Sequence, residues 1–427
     1  MDIPGLVKRP LQPKAENGAS EMICALDVGT TKVCALIGEL DEENKLHVTG
    51  AGRVVAQGLR RGVVVNTTDA IACIAQAVTE AEAMANRTIR TAYVGIAGSH
   101  ISAVGNKGAV AVGRGRTVTR DDTLRALEQA RNIALPHNRD IIHAVPRSYL
   151  LDEMKGIQDP VGMYGYRLEV EASIVTGAAS AIANLVHCVT DNGIAIEDLV
   201  LEPLASAEAV LTDDERQLGV ALLDMGGGTT DLAIYLEAAP WHTMVMEIGG
   251  DHFVRDVASI LRMPYGKAEA LIKQFGQALP ARVPADAEVR SGAFGQEGQQ
   301  VINRRFLAEI LNARAEEVLD LVQREVKRSG YDGLLPAGVV LTGGVALLPG
   351  LTELSQQRLQ WPVRVGRPDG LASSVMDLTS PEYATAVGLL LWGLNRGTIQ
   401  RVAEPPTSHF LDRIVQWLKN LLPVPTV

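Results

Sequence analysis

Apolar residues run through 22–26, break at Val28-Gly29-Thr30-Thr31 and resume over 33–37, which predicts a tight β-hairpin. Residues 46–65 continue extended around glycines. Over 69–84 the apolar positions Ile71, Ile74, Ala75 and Val78 recur at helical spacing, predicting a helix. Residues 92–97 read as a strand, 101–118 as two short strands with glycine turns, and 119–132 as a helix. Thr119 caps that helix, and Asp121 and Asp122 lie in its first turn, where acids suit the exposed N–H groups. An alanine-rich stretch predicts a long helix over 173–192, stopped at Gly193.

Further on, a strand at 199–202 is broken by Pro203 and followed by a helix at 204–211. A fully apolar strand at 219–224 meets Gly226-Gly227-Gly228-Thr229-Thr230 and a second strand at 232–235. Helices are predicted over 253–261 and 267–274, weak strand character over the polar 278–299, and a long helix over 301–329. An apolar strand at 337–342 ends in Gly343-Gly344. Helices follow over 351–359 and 380–394, then a linker at 395–408 containing Pro405-Pro406, and a last helix over 409–422.

The chain has 427 residues, 47% hydrophobic and 21% charged, which is a globular composition with room for more than one core. A formal net charge of −10 argues against a sequence-independent grip on nucleic acid, and none is expected as a partner. Cys24, Cys34, Cys73 and Cys188 sit far apart in apolar runs, so buried thiols are expected rather than zinc ligands or disulfides. The first residues carry Pro4, Gly5, Pro10, Pro13 and Gly18 without the apolar stretch of a signal peptide, and a loose tail over 1–21 is expected. No run of 18 uninterrupted apolar residues occurs, so a cytosolic protein with no bilayer-spanning helix is expected.

One internal repeat stands out. I-C-A-L-D-V-G-T-T-K-V-C-A-L-I at 23–37 and V-A-L-L-D-M-G-G-G-T-T-D-L-A-I-Y at 220–235 share apolar strand, Asp, glycine turn, Thr-Thr and apolar strand. Their separation is far too long for a solenoid, and points to a duplicated domain. Each glycine turn offers backbone N–H groups at its tip, and turned N–H groups with threonine hydroxyls form an anion-binding concavity. Asp27 and Asp224 end the first strand of each hairpin. Neither carboxylate holds a phosphate, but each suits a magnesium ion bound through water. Either hairpin alone reads as an ordinary turn; two facing each other would grip a polyphosphate. A third glycine pair, Gly343-Gly344 before Val345, follows an apolar strand and would let backbone approach a flat base.

This pattern resembles the actin, Hsp70 and sugar-kinase superfamily. The resemblance implies that Asp27, Gly29, Thr30, Thr31 and Lys32, and Asp224, Gly226, Gly227, Gly228, Thr229 and Thr230, clasp the phosphates of ATP with Mg2+. It assigns the adenosine turn to Gly343, Gly344 and Val345, the orientation of an attacking water to Glu202, and the nucleoside lining to Gly249, Gly250, Glu269 and Lys273. A nearer resemblance, over roughly 22–394 and the tail, is to the bacterial cell-division FtsA family. It is carried by V-G-I-A-G-S-H-I at 94–101, D-P-V-G-M-Y-G-Y-R-L-E at 159–169, and the stretches 178–209 and 223–233. The segment 171–176, with Ala172-Ser173, and the long N-terminal tail depart from that pattern.

The fold implied is α/β: an actin-like, RNase H-like duplicated two-domain ATPase with an inserted small subdomain and a C-terminal amphipathic helix. Its expected parts are a first core (22–87 and 170–205), the insert (88–169), a second core (206–250 and 314–394) and a small subdomain (251–313). The linker (395–408) and membrane-targeting helix (409–427) complete the division. The function implied is an ATP-binding, filament-forming protein with at most slow ATPase activity. It would anchor the tubulin-like FtsZ ring, through the FtsZ C-terminal tail, to the cytoplasmic face of the inner membrane at the division site, and help recruit later division proteins. Arg304, Arg305 and Glu309 are the implied FtsZ contacts, although the alternating charges over 304–328 also read as a solvated helix face. His143 and His187 read as packed or surface groups. A small-molecule kinase, a pilus-assembly-type adaptor and a chaperone-like ATPase are the competing readings on this fold.

The helix at 409–422 separates cleanly at about 100° per residue. Phe410, Leu411, Ile414, Val415, Trp417, Leu418, Leu421 and Leu422 fall on one arc, and Asp412, Arg413, Gln416, Lys419 and Asn420 on the other. A helix docked on the core is the plainer account. The Pro-Pro linker detaches it, which suits a segment lying in the membrane interface and binding lipid mainly by apolar burial.

Overall fold

The computed structural model describes residues 22–396 except 42, 44, 114, 293–298 and 374. The tail at 1–21 and the helix at 409–427, with Phe410, Leu411, Ile414, Trp417, Leu418 and Leu421, lie outside the described residues. Of the expected linker, Asn395 and Arg396 still belong to the helix Ala384–Arg396.

Two sheets repeat one topology. In the first, Met22–Val28, Lys32–Leu40 and Leu46–Val55 form an antiparallel meander, and Thr91–Ile96 and then Ala195–Leu201 add in parallel beside Met22–Val28. In the second, Val220–Met225, Thr230–Leu236 and Ala239–Met246 form the meander, and Val339–Thr342 and Val363–Val365 add in parallel beside Val220–Met225. The first sheet also gains Ala372–Ser373 at the meander edge. The first strand of each hairpin is covered on both faces, which is why its sequence is a continuous apolar run rather than an alternation. The repeat seen in sequence is therefore a duplicated fold.

Helices Thr67–Ala85 and Ala179–Thr190 cover one face of the first sheet. Asn66 caps the former and accepts from the Asp69 N–H at 3.4 Å. Helices Gly250–Ile260, Tyr265–Phe275, Arg304–Ser329 and Leu351–Leu359 pack with the second sheet in one core. The expected small subdomain at 251–313 thus shares the core of the second lobe. Arg304–Ser329 starts later than the expected 301, because Gln299–Asn303 pairs with Glu288–Gly292 and Asn303 caps the helix.

Between the lobes two helices cross. Glu202–Val210 packs on the second sheet, while Ala384–Arg396, expected in the second core, lies on the first sheet with Leu389, Leu390 and Trp392 against its apolar residues. Where they cross, a Cβ on Gly388 would stand 1.8 Å from the Ala205 carbonyl oxygen, so only glycine fits.

The inserted unit is a four-stranded sheet, ordered Ser102–Ala111, Arg167–Ala178, Arg139–Leu151, Met154–Ile157, backed by helix Arg120–Arg131. Its bounds differ from the expected 88–169: Thr91–Ile96 belongs to the first core, and Arg167–Ala178 is a central strand of the insert. The expected long helix over 173–192 is strand as far as Ala178 and helix only from Ala179. Alternating burial of Leu168, Val170, Ala172 and Ile174 against the insert core overrides the helix preference of the alanines. Likewise 101–118 holds one long strand, Ser102–Ala111, rather than two short ones. The insert also touches the second lobe. The register slips at Arg147, beside Pro146, and this bulge sends the Arg147 side chain to the Trp241 carbonyl, 2.5 Å from Nη2, with the guanidinium over the Trp241 ring.

Among the described residues no helix is long and apolar enough to cross a membrane. All four cysteines are buried and unpaired. His143 is buried and accepts the Leu201 N–H at 3.1 Å, while His187 is exposed on its helix, in line with packed and surface roles.

Candidate nucleotide site

Both hairpins turn tightly. The Gly29 N–H donates to the Lys32 carbonyl at 3.0 Å, and the Gly226 N–H to the Thr229 carbonyl at 2.9 Å. Their tips meet: a Cβ on Gly227 would fall 1.7 Å from Thr31 Oγ1, and one on Gly228 2.6 Å from Thr30 Oγ1. The N–H groups of Gly250 and Asp251, opening helix Gly250–Ile260, donate to the carbonyls of Gly226 and Gly227 at 2.9 and 2.8 Å. That fixes Gly249 and Gly250 beside the second hairpin. The third turn lies alongside: Gly343 has φ +81°, and a Cβ there would stand 2.5 Å from Asp224 Oδ1. Val345 packs near Gly250, while Gly344 faces open space. The structure thus brings Gly29, Thr30, Thr31, Gly226, Gly227, Gly228, Gly249, Gly250, Gly343, Gly344 and Val345 to one region between the lobes.

Behind the tips stand Asp27, Asp224, Asp231 and Glu202 with one cation among them, Lys32. Lys32 Nζ lies 2.8 Å from Asp27 Oδ2; burial works against its charge, but the Asp27 carboxylate prevails and holds it above its ordinary range. Asp224 Oδ2 accepts from Ser206 Oγ at 2.5 Å and from Thr385 Oγ1 at 3.2 Å. Thr229 Oγ1 donates to Asp231 Oδ2 at 3.2 Å, whereas the buried Asp231 Oδ1 has no partner. Thr230 Oγ1 is turned to the Ile248 carbonyl at 2.7 Å. Burial, reinforced by Asp27, Asp231 and Asp224, pushes the Glu202 carboxyl well above the usual range. Burial and then Asp224 do the same to Asp231, and burial also raises Asp224 against the pull of Ser206.

The remaining expected residues lie on helices rather than on the hairpins and glycine turns. Glu269 and Lys273 pair with each other at 2.7 Å, one turn apart on Tyr265–Phe275, a helix tied to the start of its neighbour by the Tyr265 hydroxyl donating to the Asp251 carbonyl. Arg305 donates through Nε and Nη2 to the Val283 carbonyl at 3.0 and 2.8 Å, Arg304 lies over the Phe275 ring, and Glu309 is exposed on the same helix.

Comparison with known proteins decides the family. The family description "Cell division protein FtsA" matches residues 221–388, and "SHS2 domain inserted in FTSA" matches 98–176. The chain is 39% identical over 411 residues to cell division protein FtsA of Pseudomonas aeruginosa, covering 94% of this chain and 98% of that protein. It is 34% identical to that of Bacillus subtilis (89% and 85% covered) and 31% to that of Escherichia coli K12 (94% and 98%). The chain belongs to the FtsA family. Among solved structures it is similar to the PilM-PilN type IV pilus biogenesis complex, with TM-score 0.64 and 17% identity over 87% of this chain and 98% of that one. It is also similar to MreB5 of Spiroplasma citri bound to ADP, with TM-score 0.53 and 14% identity over 89% and 98%. These likenesses establish the actin-like fold. The inserted SHS2 match coincides with the four-stranded sheet, confirming an FtsA-type insert in the actin-like frame.

Four acids against one lysine, with an orphaned carboxylate oxygen at Asp231, form a donor set that suits a hard cation. Among the described residues no three His, Cys, Asp or Glu side chains converge as direct ligands, so such an ion would keep much of its water shell. Sequence reading passed over Ser206, Thr385 and Asp231. For Asp231 a signal existed: Thr-Thr is followed by Lys32 in the first repeat and by Asp231 in the second.

Proposed function

We propose that this FtsA-family chain binds ATP with Mg2+ between its lobes, and that nucleotide-bound copies assemble into filaments. The observation that carries this reading is the meeting of two glycine-threonine hairpins, tip to tip, in front of a cluster of acids. Backbone N–H groups at the tips would hold phosphate oxygens, Asp27 and Asp224 would face a hydrated Mg2+, and Gly343, Gly344 and Val345 would line the base. When bound, the ion would neutralise phosphate charge. Burial and the nearby Asp27, Asp231 and Asp224 push the Glu202 carboxyl well above the usual range, and a cation bound beside it would bring it back towards the form that can orient an attacking water.

Family membership supports self-association and partners among division proteins. The finer reading is that the filament tethers the FtsZ tail through Arg304, Arg305 and Glu309, and helps recruit later division proteins. The helix at 409–427 would hold it to lipid on the cytoplasmic face of the inner membrane. Arg304 and Arg305 are partly committed to Phe275 and Val283, so Glu309 is the freer of the three.

The test is equilibrium binding of a fluorescent ATP analogue. Asp224→Ala and Gly344→Glu should both weaken it, while Asp159→Ala, in an insert loop where the carboxylate accepts the Val161 N–H at 3.0 Å, should not. Unchanged titration curves for Asp224→Ala would reject the site.

A further inference from the structure

Serine and threonine hydroxyls inside helices usually bond back to their own helix. In this chain Ser355 donates to the Leu351 carbonyl at 2.8 Å, Thr79 to Ala75 at 2.8 Å and Thr190 to Val186 at 2.9 Å. Ser206 and Thr385 do otherwise. Each is buried, each sits on one of the two crossing helices, and both reach the same atom, Asp224 Oδ2, on the hairpin strand of the second sheet. Their hydroxyl oxygens also lie 3.1 Å apart.

Each hydroxyl carries a single proton. The 2.5 Å contact assigns the Ser206 proton to Asp224, so at the Ser206–Thr385 contact the Ser206 oxygen accepts. Thr385 then shares its proton between Ser206 and Asp224. The result is a closed triangle that saturates Oδ2 and fixes the plane of the carboxylate. The other oxygen, Oδ1, is left towards Gly343, whose missing side chain provides its space.

We propose that Ser206 and Thr385 are positioning residues: they aim Oδ1 of Asp224 at the water shell of a magnesium–nucleotide. This rests on the nucleotide reading given above. It also ties the aim of Asp224 to the arrangement of the lobes. The two hydroxyls lie on helices that cross at Ala205 and Gly388, one packed on each sheet, so Asp224 draws its two donors from both sides of that crossing.

The experiment titrates a fluorescent ATP analogue into the full chain, once with excess Mg2+ and once with chelator. Wild type should bind more tightly with Mg2+, and Asp224→Ala should lose that gain. Ser206→Ala and Thr385→Val should each lose roughly tenfold of the Mg2+-dependent gain, the weight of a hydrogen bond to a charged group, while affinity in chelator stays within about twofold. Thr385→Ser, which keeps the hydroxyl, should restore the gain and guards against misfolding of Thr385→Val. Equal weakening with and without Mg2+, or a full Mg2+ gain in both Ser206→Ala and Thr385→Val, would overturn the assignment. A wild type with no Mg2+ gain, or an Asp224→Ala that keeps it, would instead overturn the nucleotide reading beneath it.

Discussion

Arg61 of the first lobe and Glu247 of the second meet across the mouth of the cleft, Nη1 to Oε2, at 2.5 Å. Ser99, at the junction with the insert, donates to the other oxygen of the same carboxylate. Arg61 lies beside the hairpin tips, for the Gly62 N–H donates to Thr30 Oγ1 at 2.9 Å, and Glu247 precedes Gly249 by two residues. One carboxylate therefore holds three parts of the chain together beside the hairpin tips.

The first consequence concerns exchange kinetics. Both side chains are partly open to water, 35% for Arg61 and 42% for Glu247, so the pair adds about 1 kcal/mol or less to stability. Glu247→Gln should leave the melting temperature nearly unchanged yet speed release of a fluorescent nucleotide several-fold in stopped-flow. High salt should speed wild-type release and barely affect the variant.

The insert has its own electrostatic anchor. Asp122 is fully buried, bonded by Arg116, Arg125 and the Thr119 cap. The Arg116 hydrogen bonds hold its carboxyl well below the usual range, against the opposing effect of burial. A folded-state value below the unfolded one gives stability that is present above the ordinary carboxylate range and lost as pH falls through the folded value. Asp122→Asn should lower the melting temperature by several degrees at pH 7, and the gap should narrow as pH drops below about 4, checked by calorimetry across pH.

How much of this was legible follows from what each segment packs against. The two hairpins were readable because strands buried on both faces leave unbroken apolar runs, and their turns must carry glycine. Helix Leu351–Leu359 and the Thr119 cap were equally local matters. Strand Arg139–Leu151 was not foreseen, because Pro146 and Arg147 interrupt its pattern, and only the bulge that accommodates them makes it a strand. Residues 173–178 misled, since small apolar residues fit helix and strand alike until the insert core chooses. Ser206 and Thr385 lie far apart in the chain, and nothing local marks two hydroxyls that converge on Asp224 only when the helices cross.

The proposed membrane attachment is tested on the apolar arc that the sequence places over 409–422. Trp417→Glu places a charge in that arc and should move the chain from liposomes to the soluble fraction with nucleotide affinity intact, read by flotation. Wild-type flotation should decline little with salt, because Arg413 and Lys419 against Asp412 give at most roughly 1 kcal/mol per basic residue towards anionic lipid. Steep loss with salt would reject an apolar anchor.

The exchange of helices between the lobes also governs how the protein is made. Ile23, Ala25 and Leu36 of the first sheet pack in one cluster with Leu389, Leu390 and Trp392, nearly the last described residues of the chain. While the polypeptide is being synthesised, that face lacks its covering helix Ala384–Arg396 through translation of the insert and of the whole second sheet. The earliest strands to leave the ribosome are thus among the last to be covered. A chain halted before residue 384 would lack the helix that packs on this apolar face, Ala384–Arg396, and would be exposed to aggregation there.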